Sequence, residues 1–78
     1  MSTERDALKI IEKIEQKLLK IKTYKTNAIY LSRNNYFTIL EHNNSLKQIK
    51  FREKKLYLET YRFHIPIYSA NSKDTIDV

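Results

Sequence analysis

No glycine occurs among the 78 residues, where average usage would supply about five. A chain without Gly cannot form a P-loop or a dinucleotide-binding Gly fingerprint, because both need a backbone that closely approaches phosphate. Cysteine is absent too. That removes disulfide frameworks, thiolate zinc sites, iron–sulfur clusters and thiol nucleophiles, and it fits a reducing compartment. Hydrophobic residues at 41% and charged residues at 31% describe a globular chain rather than a disordered one.

Size sets the next limit. A domain this short buries only about 60% of its unfolded surface, so packing alone must stabilise it and a deep, dry catalytic cavity does not fit. The sequence predicts one small α+β domain over residues 1–69 and a flexible polar tail over 70–78. Met1–Asp6 is polar, and no apolar h-region follows it. No apolar run approaches the roughly 20 residues a membrane span needs. The expected setting is cytoplasmic, with no membrane partner.

Residues 3–22 read as an amphipathic helix. Ala7, Ile11, Ile14, Leu18 and Ile21 fall within an arc of about 80° at 100° per residue. Lys9, Lys13, Lys17 and Lys20 lie roughly opposite. Ser2 or Thr3 is placed to cap the start, and Lys20 and Lys22 suit the negative end of the dipole. The apolar stripe has two uses. It can pack on the domain's own sheet, or Ile11, Ile14, Leu18 and Ile21 can form a homo-oligomer seam through residues 7–21. The heptad pattern lasts little more than two heptads, short of the three or four that define a coiled coil, so the first use is the leading expectation.

A helix break is expected over Thr23–Asn27. Ala28–Leu31 favours a short strand. Ser32 then caps a second helix from Arg33 to about His42, with Tyr36, Phe37 and Leu40 on its buried face and Ile39 flanking. Ile49 and Phe51, then Leu56 and Leu58, alternate with polar residues as half-buried strands do. Glu53–Lys55 reads as the turn between them, although it lacks the Gly, Asn or Asp that hairpin turns favour. Phe63, Ile65 and Ile67 alternate again, and Pro66 predicts an edge strand or a strand end. The expected fold class is α+β: the N-terminal helix and the second short helix packed on a small antiparallel or mixed sheet. Phe37, Phe51 and Phe63 are expected in the core.

The segment Thr26-Asn27-Ala28-Ile29-Tyr30-Leu31-Ser32, followed by Tyr36 and Leu40, resembles a strand–helix segment of the tailed-phage major capsid fold. Ile65-Pro66-Ile67 is similar to that fold's later strand with a Pro between aliphatic residues. The resemblance covers residues 26–69 and departs at His64, where the capsid pattern usually has Gly. It implies a phage or mobile-element origin, hence the host cytoplasm, and a similar small layer. Capsid assembly is not implied, since 78 residues are far too few for a capsid subunit.

Catalytic candidates are few. His42 falls at the predicted end of the second helix, where a cation suits the dipole. His64 lies beside Phe63 and Pro66, and two histidines without a carboxylate or Cys nearby do not make a metal site. No pattern supplies a nucleophile with a base and an oxyanion site, so neither an enzyme nor a cofactor is expected. Charge is more informative. Of the formal +6, residues 46–62 hold six basic and two acidic residues. Lys50, Arg52, Lys54, Lys55, Tyr57 and Arg62 are therefore the candidate contact residues. The first expectation is an acidic protein surface as partner, with lysines steering the encounter and Tyr and Arg carrying affinity. The alternatives are nucleic acid, its phosphates met by the same residues, and a role as a virion or assembly component.

Overall fold

The chain's structure, a computed structural model, describes residues 3–21, 27–70 and 74–77. Ser2, Lys22 and the predicted break up to Thr26 lie outside the described residues, as do the side chains of Ile21 and Asp77. Helix α1 spans Glu4–Ile21, strand β1 Ala28–Ser32 and helix α2 Arg33–Glu41. After a 3-10 turn at Asn43–Ser45 come β2 (Ile49–Arg52), β3 (Lys55–Glu59), β4 (His64–Ala70) and β5 (Thr75–Asp77).

Helix α1 starts on a reciprocal cap. The Asp6 N–H donates to Thr3 Oγ1 at 3.2 Å, and the Thr3 N–H donates to Asp6 Oδ2 at 3.0 Å. Two of the N–H groups at this end of the chain are thereby satisfied. Helix α2 starts on Ser32, whose hydroxyl accepts from the Asn35 N–H at 3.4 Å. The Asp74 carboxylate joins this cap from a distant part of the chain, accepting from the Ser32 N–H and the Asn35 side-chain amide. A carboxylate there also complements the positive end of α2.

The five strands form one mixed sheet in the order β2-β3-β4-β1-β5. Only β1 and β4 run parallel, with Ile29 opposite Ile67, and the other neighbours are antiparallel. The fold is thus α+β with two helices on a mixed sheet. Both helices pack on the same face. Ala7, Ile11, Ile14 and Leu18 of α1 and Ile39 of α2 join Ile29, Leu31, Ile49, Leu56, Leu58, Ile65 and Ile67 in a single core. Period 3.6 on α1 and period 2 on the strands deliver these side chains to one layer.

Ile11, Ile14 and Leu18 retain at most 4% exposure; they pack in the chain's own core, the leading use expected of this stripe, which leaves their side chains little surface for a self-association seam. Other expectations need correction. On α2 the buried residue is Ile39, with Tyr36 and Leu40 beside it, whereas Phe37 is 54% exposed. Positions 36, 39 and 40 share a face, and residue 37 is rotated about 100° from residue 36. Phe51 points to the helix side of β2, but β2 is an edge strand at the rim of the core, and Phe51 remains 46% exposed. Phe63 does pack against the core. Pro66 lies not at an edge but in β4, between β3 and β1; its missing N–H costs the ladder one donor. The expected flexible tail is partly ordered: β4 continues to Ala70, and Thr75–Asp77 pairs with β1 as a fifth strand.

Candidate functional site

Because both helices sit on one side, no described element covers the other side of the sheet. Period-two alternation places Lys50 and Arg52 of β2 on this open face, with Lys55, Tyr57 and Glu59 of β3. His64, Pro66 and Tyr68 of β4 join them, as do Tyr30 of β1 and Thr75 of β5. The register fixes their neighbours. Lys50 lies opposite Tyr57, Tyr57 opposite Pro66, Glu59 opposite His64, and Tyr30 beside both Tyr68 and Thr75. Adjacent strands are about 4.8 Å apart, and same-face residues along one strand about 6.8 Å, so these side chains form one band, with Pro66 between the Tyr57–His64 end and the Tyr30–Tyr68 end.

The rings meet in two pairs. Tyr30 and Tyr68 stack across the parallel strands with centroids 5.5 Å apart. Tyr57 and His64 stack diagonally across β3 and β4 at 5.7 Å. Such cross-strand pairs stabilise a sheet; Tyr30, Tyr57 and Tyr68 are half-buried and His64 is exposed. The cations Lys50, Arg52 and Lys55 are exposed along the β2–β3 side of this band.

Glu59 sits within the band. Its side chain keeps only 18% exposure and stands between two partners: Arg52 Nη2 at 3.4 Å from Oε2, and His64 Nδ1 at 3.1 Å from Oε1. Arg52, Glu53, Tyr57, Glu59 and His64 line a shallow pocket of about 220 Å³. It has an aromatic wall, a guanidinium, the shielded carboxylate of Glu59 and the exposed one of Glu53. Among the described residues no group of three or more His, Cys, Asp or Glu is placed to hold a metal ion, and no helix is long and apolar enough to cross a membrane.

Of the six candidate contact residues, Lys50, Arg52, Lys55 and Tyr57 share the open face. Lys54 adjoins them in the β2–β3 turn. Arg62 does not join them. It lies at the far end of β3, in the link to β4, where it lines a separate apolar hollow with Leu19, Tyr61 and Phe63. Tyr30, Tyr68, Glu59 and His64 were missed as site residues. The alternation along 28–32 and 64–70 marks their common parity, but only the strand order brings them beside Tyr57.

Comparison with known proteins gives no family model, curated protein or solved structure that matches this chain.

Proposed function

We propose that the protein is a non-enzymatic binding module that docks the open face of its sheet on nucleic acid. One observation carries this reading: two stacked aromatic pairs share the open face of the sheet with Lys50, Arg52 and Lys55. Cations at that spacing neutralise phosphates and release counterions, and accessible rings stack on bases. The formal charge of +6 adds long-range attraction to any polyanion. An acidic protein surface would use the same cations. It gives no comparable use to two stacked ring pairs on the same face. In this reading the chain works in the cytoplasm, that of the host if the gene is a phage's. The capsid-fold resemblance contributes nothing to the argument.

The test is fluorescence anisotropy with labelled RNA and DNA at 50 and 200 mM salt. Three phosphate contacts from Lys50, Lys54 and Lys55 give a salt slope of about −2 for a single strand. Affinity should then fall about 15-fold between those concentrations. Replacing the three lysines with Ala should flatten the dependence while the thermal midpoint stays near its starting value. Absence of binding at 50 mM would end this reading and return the acidic protein surface to first place.

A further inference from the structure

We infer that the pocket between Arg52, Tyr57, Glu59 and His64 is a base-recognition site, and that its ligand is an unpaired guanine in single-stranded RNA. The inference rests on the nucleic-acid reading above and narrows it to one ligand.

The chemistry of the pocket selects the base. A carboxylate is an acceptor with two oxygens. Guanine is the one common base whose Watson–Crick edge offers two adjacent N–H donors, N1–H and the N2 amine, with the O6 acceptor beside them. Glu59 presents the two acceptor oxygens, and Arg52, 3.4 Å from one of them, presents the donor for O6. The order donor, acceptor, acceptor along the pocket matches acceptor, donor, donor along guanine. Uracil and cytosine each lack one of the paired donors.

Burial makes these bonds count. The Glu59 side chain is 18% exposed, so water competes for its oxygens less than it would on an open surface. The present partners of Glu59 also leave room for exchange. Arg52 is 63% exposed and its contact of 3.4 Å is long, and His64 is 68% exposed. Arg52 can swing from Oε2 to the guanine O6, and His64 can leave both Oε1 and the Tyr57 ring it stacks on, which frees that ring, held on β3, as the stacking surface. The pocket's 220 Å³ is below the roughly 300–1,000 Å³ of sites that enclose drug-sized ligands, and a single base needs no more than such a slot.

The strand state follows from the same geometry. The Watson–Crick edge of guanine is consumed in a duplex, and the Tyr57 ring can stack only on a base that has left its own stack. RNA is favoured over DNA because the open face places four hydroxyls, those of Tyr30, Tyr57, Tyr68 and Thr75, along the band. These are partners for a ribose 2′-OH, which DNA lacks.

Anisotropy with the full-length protein tests this. The probes are a uridine heptamer, the same heptamer with one central guanosine, its inosine analogue, the deoxy version of the guanosine strand, and a duplex of equal length. The expected result is a five- to tenfold preference for the guanosine strand over the uridine strand, the low end of what a bidentate base contact gives. Inosine, which lacks the N2 amine, should lose most of that preference with no change to the protein. The deoxy strand and the duplex should bind more weakly. Glu59→Gln, checked for an unchanged melting profile, should bind the guanosine and uridine strands equally. Equal binding of guanosine and inosine strands, or of single strand and duplex, overturns the pocket assignment and leaves the nucleic-acid reading standing. Tighter binding of the deoxy strand overturns the choice of RNA. Failure of every probe to bind at 50 mM salt removes both readings together.

Discussion

The β2–β3 turn holds conformational strain that one substitution should release. Glu53 and Lys54 have φ of 50° and 64°, the signature of a two-residue hairpin turn with both central residues left-handed. Asn-Gly normally fills such a turn, and here two residues with a Cβ and a long side chain do. A non-Gly residue in this region costs about 1–2 kcal/mol. Replacing Lys54 with Gly removes that cost and adds about 0.5–1 kcal/mol of unfolded-state entropy to be lost. The net expectation is a gain of about 0.5–1 kcal/mol, a rise of about 2–8 °C in the thermal midpoint of a domain this size. Lys54→Gly also deletes a charge close to Arg52 and Lys55, which face each other across the strands. Lys54→Ala separates the effects, since it deletes the same charge but keeps the Cβ at positive φ. Melting curves by circular dichroism at pH 7 for the wild type and both variants make the comparison. Lys54→Gly should melt above Lys54→Ala. If the two variants melt together, the argument from backbone strain is wrong and charge relief accounts for any change.

Asp74→Ala should lower stability by about 1.5–3 kcal/mol, because two donors at the start of α2 lose a charged acceptor; an unchanged urea midpoint would contradict the cap. On α2, Ile39→Ala should cost about 2–5 kcal/mol as a buried deletion, whereas Phe37→Ser should stay within about 0.5 kcal/mol, and chemical denaturation that reverses this order would refute the assigned helix face. Ile11→Ala should destabilise the chain by about 2–5 kcal/mol with a midpoint independent of protein concentration; concentration dependence would return α1 to the role of a self-association surface.

The parts of the fold that were legible in the sequence are those with long periodic patterns. Helix α1 carries its 3.6-residue stripe through Ala7, Ile11, Ile14 and Leu18, and every one of these is buried. Ser32 could be read as a cap because a hydroxyl follows a short apolar run, Ala28 to Leu31, and precedes a helical pattern. What escaped depends on partners distant in sequence. The segment Thr75–Asp77 is short and polar and becomes a strand only because β1 offers it an edge. Pro66 argues locally for an edge, yet its neighbours on both sides of β4 outweigh one lost donor. The charged half of the site was visible as a cluster over residues 50–55. Of the aromatic half only Tyr57 was visible, beside the charge cluster; His64 reaches it through the antiparallel pairing of β3 with β4, and Tyr30 meets Tyr68 only through the parallel pairing of β1 with β4.

That parallel pairing also predicts an order in which the chain folds. Strands β2, β3 and β4 are joined by short links and can zip up as a local meander. Strand β1 comes before all three, yet it lies on the far side of β4 and must wait for the meander's outer edge to exist. Its loop-closure cost falls due before any of its contacts repay it. Relaxing the Glu53–Lys54 turn should therefore quicken refolding, while Ile29→Val on β1 should chiefly quicken unfolding, and stopped-flow kinetics on the two variants would separate these limbs. On the same reasoning, the pair formed by Tyr30 and Tyr68 is expected among the last features of the molecule to assemble.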